Sequence, residues 1–385
     1  MTQSRVPPLV RRLGLVSFFT DAASEMIYPL LPALLKSFGA ASVWLGAMEG
    51  IAEALSAVVK YRMGPLTDRA EQRKPLVVVG YGLATVVRPL IAFASAGWHV
   101  VLFRSLDRIG KGVRGVPRDA LIADAVDKEH LAKAFSFHRA MDNAGSVLGP
   151  ILAFTLLRFA ELPLRVVIDL AIVPELVSVA TLVFGVKDPG RHEPVERASA
   201  APVGKLPPEV TRYLAVLALF TLGSSADSFL VLRAVDLGMR EEWTPLLWLA
   251  LSASKALSNM PGGRIADRFG RQRTLVLAWT MYAVFYAAIA FVSSLAAFVA
   301  LAIAYGTYYG LSEGAERAIL AERAPPKVRG RAFAAMHAVT GFAVLPANLL
   351  FGVLYGIDAR LSFGASAAFA GIAAILLVAL PANRR

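Results

Sequence analysis

The sequence of 385 residues contains no cysteine, which excludes a disulfide framework and any metal site built on thiolates. Its five histidines show no HxxxH or HExxH spacing, and we find no nucleophile–base pair and no cofactor-binding loop. Charged residues make up only 18% of the chain, whereas soluble globular domains contain roughly 25%. The composition therefore does not indicate an enzyme or a protein that carries a cofactor.

Long apolar runs, by contrast, are frequent: 56% of residues are hydrophobic and the mean hydropathy is +0.57. Residues 76–96, 274–296 and 362–381 are each long enough to cross the hydrocarbon core, which takes about 20 residues. The sequence predicts an all-α integral membrane protein. Loop signals divide it into about twelve transmembrane spans, near residues 14–37, 42–63, 75–97, 99–119, 132–157, 164–186, 210–236, 243–262, 273–294, 296–320, 331–355 and 362–381.

The net charge of +12 is concentrated in the predicted loops on one side of the membrane. Basic loops mark the cytoplasmic side, so we expect both termini to be cytoplasmic in a multi-pass protein of a bacterial-type inner membrane. This topology accounts for the basic charge, and we expect no nucleic acid partner. Residues 187–209, rich in proline, charge and alanine, predict a cytoplasmic linker between two six-helix bundles, 1–186 and 210–385.

An internal repeat supports this division. GPLTDR at 64–69 is matched by GRIADR at 263–268, and each closes the second span of its half. RDALIAD at 118–124 is matched by ERAILAE at 316–322 at nearly the same offset. Duplicated halves with a site between them are typical of transporters that work by alternating access.

The paired loop motifs resemble the cytoplasmic loop motif of the major facilitator superfamily, and the resemblance covers essentially the whole chain. GGRIADRFGRQR at 262–273 is the fuller copy, whereas GPLTDRAEQRK at 64–74 departs from the pattern at Glu71 and Gln72. The resemblance implies the MFS fold, two pseudo-symmetric six-helix bundles that rock about a central site. The first and fourth spans look like a bacterial subgroup of permeases whose substrates are unassigned.

The resemblance also implies a cytoplasmic gate. In the family, the aspartate of the loop motif contacts basic groups and a helix N-terminus of the opposite half. The alternative is a solvated loop that only sets topology. The gate residues that we predict are Gly64, Asp68, Arg69, Arg73, Arg118, Asp119, Asp267, Arg268, Glu316 and Arg317.

Charged residues recur along the fourth span at helical spacing, so they share one face. A charge at the bilayer centre costs about 3 kcal/mol, so this face must look into a bundle. A basic stripe there predicts a substrate pathway or gate. Glycines in the same span would allow a neighbouring helix to approach closely. The stripe consists of Arg104, Asp107, Arg108, Lys111 and Arg114, and the glycines are Gly110, Gly112 and Gly115.

Carboxylates on neighbouring spans complement this stripe. Burial favours the neutral acid and a nearby arginine favours the charged form, which suits a proton relay; a static network of ion pairs is the alternative. A metal site at Asp21, Glu25 and His138 is disfavoured because Arg104 and Lys111 would repel the ion. The candidate acids are Asp21, Glu25, Glu49, Glu53 and Asp142.

Gly145, Gly149 and Pro150 resemble the G-x-x-x-G-P motif frequent in antiporters of the family. With the surplus of bases, this motif predicts proton-coupled export of a small polar or anionic organic compound. The alternatives are proton-coupled import of an organic anion and multidrug efflux; outside transport, they are a lipid flippase or a membrane sensor. We expect a monomer that uses a proton gradient and no cofactor, with the solute, protons and membrane lipid as its partners. The second half is sparser, and we interpret most of its aromatic residues as packing.

Overall fold

A computed structural model gives the fold of this chain. The residues that it describes are helical and form no strand, and nine of their helical stretches are long and apolar enough to cross a membrane. The predicted all-α membrane fold is therefore confirmed. Most of the predicted linker lies outside the described residues, so the boundaries at 186 and 210 stay a prediction. The described residues are 7–39, 41–127, 130–188, 190, 206–325 and 328–381.

Eight α-helices form the first six predicted spans. The first span is divided by a 3-10 turn at Tyr28–Leu30, because Pro29 and Pro32 lack the N–H groups that a continuous α-helix would use. The sixth span is also divided and ends in a π-helical segment at Thr181–Gly185. The helices are α1 Pro8–Ile27, α2 Leu31–Lys36, α3 Ala41–Arg69, α4 Lys74–Leu90, α5 Gly97–Asp124, α6 Leu131–Arg158, α7 Leu164–Leu170 and α8 Ile172–Ala180.

Eight further helices form the remaining six spans. A single residue, Gly270, separates two of them with φ of +91°, a backbone conformation that favours glycine. This turn explains why the second loop motif has a glycine there. The helices are α9 Pro208–Gly223, α10 Ser228–Asp236, α11 Thr244–Phe269, α12 Arg271–Phe291, α13 Leu295–Tyr305, α14 Thr307–Arg323, α15 Arg329–Ile357 and α16 Ala359–Ala379.

The helices cluster into two compact units. Among the described residues, unit 1 contains 7–39, 51–188 and 241–246, and unit 2 contains 41–50, 206–240 and 247–381. Each unit has its own apolar core. The core of unit 1 is formed by α1, α4, α5, α6 and the segment that follows α8. Its buried residues are Val10, Leu13, Val16, Val77, Tyr81, Leu121, Ile122, Ala134, Leu182 and Val186.

The same ion pair recurs in both units. In unit 1 the Arg73 side chain, just before α4, pairs with Asp124 at the end of α5. In unit 2 Arg271, at the start of α12, pairs with Glu322 at the end of α14 over 2.5 Å. The partners are 51 positions apart in both cases. An internal repeat would produce this correspondence.

The G-x-x-x-G-P motif on α6 lies against α1. A Cβ on Gly145 would overlap the carbonyl oxygen of Phe18, and a Cβ on Gly149 would lie 2.9 Å from the amide nitrogen of Met26. The two backbones therefore approach so closely that only glycine fits at either position. The motif has a packing role in unit 1 whatever its role in transport.

Replacement of Gly145 by alanine should destabilise the protein by about 1–3 kcal/mol, because the added methyl group meets backbone that cannot rotate away. Gly371→Ala on α16 is the matched control, since a Cβ there meets nothing within 4 Å. The midpoint of thermal unfolding of the purified protein in detergent measures both. Equal midpoints for the two variants would contradict the described contact of α1 and α6.

Candidate functional site

The charged stripe of the fourth span lies on α5 and has two parts that differ in burial. Arg104 and Asp107 are buried, with 4% and 1% of their surfaces exposed, and Arg114, one turn beyond Lys111, is buried at the wall of a cavity with 3% exposed. Lys111 is exposed. The stripe therefore enters a closed network at one level and an open cavity at another.

The closed network joins four spans of unit 1. Asp107 accepts hydrogen bonds from Nε of Arg88 at 2.9 Å and from Nη1 of Arg104 at 3.0 Å. Arg88 also donates through Nη1 to Glu175 at 2.5 Å and to the carbonyl oxygen of Thr20 at 3.0 Å. Two guanidinium groups thus face two carboxylates, and the charges balance. These residues fit the static ion-pair network that the sequence left open as the alternative to a relay.

Arg88 and Glu175 are not among the predicted site residues, and Glu175 is the carboxylate of this network that sequence reasoning missed. It is fully buried on α8, within the most apolar part of the sixth span. A single acid in such a run can persist only with a buried base as partner. That signal was available in the sequence, but it does not say which base is the partner.

A cavity of about 330 Å³ opens within unit 1 beside this network. Six of the predicted site or gate residues line it: Asp21, Lys111, Arg114, Arg118, Asp119 and Asp142. Its remaining lining is Ser17, Thr20, Lys60, Tyr81, Gly115, Val116 and Arg139. Five bases and three carboxylates therefore surround one space: Lys60, Lys111, Arg114, Arg118 and Arg139 against Asp21, Asp119 and Asp142.

Two of the arginines are held in place by neighbours. The guanidinium carbon of Arg114 lies 4.4 Å from the ring centroid of Tyr81, a cation–π contact. Arg118 donates through Nη1 to the hydroxyl of Ser17 at 3.2 Å and pairs with Asp119 at 3.0 Å. Lys60 and Lys111, with flexible and exposed side chains that line the cavity, are the bases best placed to follow a solute.

The glycines of α5 explain how the helix reaches this position. A Cβ on Gly110 would lie 2.7 Å from the carbonyl oxygen of Gly80 on α4, and a Cβ on Gly112 would lie 2.8 Å from Val59 on α3. The predicted close approach is confirmed at both. Gly115 has no such neighbour and lines the cavity instead.

The other predicted acids have separate surroundings. Glu53 pairs with Arg108 at 3.2 Å, and Glu25 and Glu49 are not among the residues that line the cavity. Asp142 lies 3.6 Å from Nδ1 of His138 and 3.8 Å from Arg139. Within the described part of the chain, no three His, Asp or Glu side chains are grouped to hold a metal ion.

Apart from Arg73, which lies just before α4, the predicted gate residues lie in the C-terminal parts of α3, α5, α11 and α14. Asp68, Arg69, Asp267 and Arg268 are exposed, and a Cβ on Gly64 would meet nothing within 4 Å. Glu316 accepts a hydrogen bond from the indole of Trp279 at 3.3 Å, and Arg317 pairs with Glu313 at 2.9 Å. These contacts lie within unit 2, so the latch between halves stays a prediction.

Unit 2 contains a charged cluster that the sequence analysis understated. Asp227 pairs with Lys255 and accepts hydrogen bonds from the hydroxyls of Tyr305 at 3.2 Å and Tyr309 at 3.3 Å. Interpreting these tyrosines as packing residues was incomplete, because their hydroxyl groups hold a carboxylate. The residues come from three different spans, which is why sequence spacing does not bring them together.

Ion pairs among apolar, membrane-length helices occur in both units, and unit 1 also contains a polar cavity. These features define a polytopic membrane protein of the transporter class. The comparisons with known proteins agree. The family profile described as Major Facilitator Superfamily matches residues 13–254 and 214–385, and the chain belongs to this superfamily.

Relatives and solved structures extend this assignment. An uncharacterised MFS-type transporter of Methanocaldococcus jannaschii is 30% identical over 374 residues, covering 95% of this chain and 93% of its own. The multi-drug resistance efflux pump PmrA of Streptococcus pneumoniae is 26% identical, covering 83% of this chain and 82% of its own. A bacterial homologue of the human lysosomal transporter Spinster, solved in an inward-facing conformation, superposes with a TM-score of 0.76 at 15% identity, covering 97% and 96% of the two chains.

Proposed function

We propose that this chain is a proton-coupled secondary transporter of small organic anions. The observation that carries the proposal is the cavity in unit 1, where five bases face three carboxylates around about 330 Å³. A solute that bears a carboxylate or phosphate would balance the surplus positive charge, whereas a cation would add to it. The volume suits a small organic molecule.

Asp21 and Asp142 are the groups that we propose for the proton. Both line the cavity together with Lys111 and Arg114. The charge of a solute in the cavity therefore acts on the bases and on the carboxylates at the same time. An anion that occupies the cavity screens the bases and makes protonation of a nearby carboxylate easier. Coupling between solute and proton then needs no contact between them.

The similarity to an efflux pump and the Gly145–Pro150 motif favour export by exchange with protons, which is the second candidate. We propose uptake of an organic anion together with protons, because an anion in the cavity favours protonation of the carboxylates beside it. The two differ in the sign of the linkage between proton and solute: exchange requires that they compete, and co-transport requires that each favours binding of the other. For an anion, the charges of the cavity favour co-transport.

Multidrug efflux of cations fits less well because of the basic cavity, and a flippase would need an apolar groove open to the bilayer. We place the protein in a bacterial-type inner membrane as a monomer with both termini in the cytoplasm. The basic loops support this orientation.

Thermal stabilisation of the purified protein by matched solutes tests the charge preference. We expect benzoate, succinate and inorganic phosphate, as a group, to raise the unfolding midpoint more than benzylamine and tetraethylammonium. Flux of the best anion into proteoliposomes, with and without an imposed pH gradient, then tests coupling. Stabilisation by the cations alone would refute the proposed solute class.

A further inference from the structure

The charged cluster of unit 2 lies at a break within one span. α9 ends at Gly223 and α10 begins at Ser228, and Asp227 stands directly before α10. An aspartate at such a position usually accepts hydrogen bonds from the N–H groups of the first turn. The Asp227 side chain makes no such cap and instead contacts Lys255 on α11. The Asp227 carboxylate therefore contacts a neighbouring helix instead of capping α10.

Neighbouring side chains fix the geometry of this break. The amide of Ala226 donates to Oδ1 of Asn348 at 2.9 Å, and the amide of Ser225 donates to the hydroxyl of Tyr282 at 3.3 Å. The Ser225 hydroxyl lies 2.9 Å from that of Tyr286. Backbone groups that a continuous helix would satisfy are thus satisfied by residues of α12 and α15. The interruption is a built feature of unit 2.

Lys255 is the more accessible partner of the pair. Its side chain is 23% exposed, whereas that of Asp227 is 9% exposed. Its Nζ lies 4.1 Å from the ring centroid of Tyr309 and 5.9 Å from that of Trp248. A solute would therefore reach the ammonium group before the carboxylate, against two aromatic faces.

We propose that Lys255 is a second anion-binding group and that protonation of Asp227 makes it available. When a proton from water adds to the carboxylate, the attraction between the two side chains is lost. The hydroxyls of Tyr305 and Tyr309, which already contact both carboxylate oxygens, then hydrogen-bond the neutral acid. The ammonium group pairs with a carboxylate or phosphate of the solute. This inference rests on the proposed function and specifies its coupling: proton and anion bind together, as co-transport requires.

Ionisable groups face Asp227 from α10 and from the helices packed against it. Phenols ordinarily ionise only near pH 10 and amines at a similar pH, whereas a carboxylate ionises in the acidic range. On α10 itself, Arg233 donates to the carbonyl of Val292 and Asp236 accepts from Tyr355. The titratable groups that face Asp227 from packed helices are Lys255 on α11, Tyr286 on α12, Tyr305 on α13, and Tyr308 and Tyr309 on α14.

An organic cation fits this cluster less well than an anion. The aromatic faces and the carboxylate are already occupied by the tethered ammonium of Lys255, which a cation would have to displace. An anion displaces only the carboxylate, for which two hydroxyl groups remain as partners. The arrangement thus favours a solute of negative charge.

The test compares anion binding at about pH 5.5 and about pH 8, with benzoate as the probe and thermal stabilisation as the readout. The parent is the full-length protein with Lys111→Gln, which weakens anion binding in the unit 1 cavity and so isolates the unit 2 cluster. We expect this parent to bind benzoate about tenfold more tightly at the lower pH. Asp227→Asn, which imitates the protonated acid, should bind tightly at both. The charge-matched double variant Asp227→Asn with Lys255→Gln should fold and bind weakly at both, which separates loss of the ammonium group from loss of the fold.

Two outcomes would overturn the inference while leaving the proposed function intact: the pH dependence of the parent retained when Asp227→Asn is added, or the affinity of the parent retained when Asp227→Asn and Lys255→Gln are both added. Tighter binding of benzylamine than of benzoate by wild type would refute the anion assignment at both sites. Weak binding by the folded protein with both added changes, together with lost pH dependence when Asp227→Asn is added alone, would establish the pair as a coupling element of unit 2 beside the carboxylates of the unit 1 cavity.

Discussion

Replacement of Asp107 by alanine is expected to cost this protein about 3–5 kcal/mol of stability and most of its folded yield. The carboxylate is shared by Arg88 and Arg104, and all three side chains are at most 5% exposed. Its removal leaves a surplus positive charge in the interior of unit 1, with Glu175 as the only carboxylate of the described network. The interior cannot solvate that charge, so the penalty falls on the folded state. The midpoint of thermal unfolding and the monodisperse yield after solubilisation measure the effect.

Asp124→Ala is the matched control for this prediction. Asp124 also pairs with an arginine, Arg73, but its side chain is 41% exposed, and exposed pairs contribute about 0–1 kcal/mol. The double variant Asp107→Asn with Arg104→Gln, which removes one charge of each sign, should recover part of the stability that Asp107→Ala loses. If Asp107→Ala unfolds at the same temperature as Asp124→Ala, the network is not structural. Asp107 would then be a candidate for coupling, as the sequence analysis predicted for the stripe.

Much of the fold follows from the sequence because membrane insertion imposes length and polarity directly. Apolar runs of membrane length specify helices, and turn residues end them, as Gly270 does between α11 and α12. The breaks within spans were not predicted. The interruption from Gly223 to Ser228 depends on Asn348 and Tyr282, which belong to spans far away in the chain. Local propensity contains no information about such partners.

The candidate site could be predicted only as a helix face. Helical periodicity places Arg104 and Lys111 on one stripe, because both positions recur at the same angle. It does not show at which level along α5 the neighbouring helices supply side chains of opposite charge. At the level of Arg104, α4 and α8 contribute Arg88 and Glu175 and the stripe becomes a closed network. At the level of Lys111 no such pair closes the space among the described residues, and a cavity remains.

Because the two levels differ, Asp107→Ala and Lys111→Gln should have different effects, although both residues belong to the same stripe. Lys111→Gln should lower anion affinity and transport about ten- to hundredfold, because a hydrogen bond to a charged group is worth about 1.5–3 kcal/mol. Stability should change by less than about 1 kcal/mol, since the side chain is exposed and lines the cavity. Benzoate-dependent stabilisation and proteoliposome flux measure the first effect, and the unfolding midpoint without solute measures the second.

Two controls make the Lys111 prediction specific. Arg212→Gln removes one positive charge from an exposed site on α9, outside the cavity, and should leave affinity and flux unchanged. Lys111→Arg keeps the charge and should retain most of the affinity, because the cavity is open at this position. If Lys111→Gln and Arg212→Gln weaken benzoate binding equally, the protein responds to net charge alone and the cavity is not the binding site. If Lys111→Gln instead unfolds like Asp107→Ala, the lysine belongs to the closed network and the open part of the stripe has been assigned to the wrong level of α5.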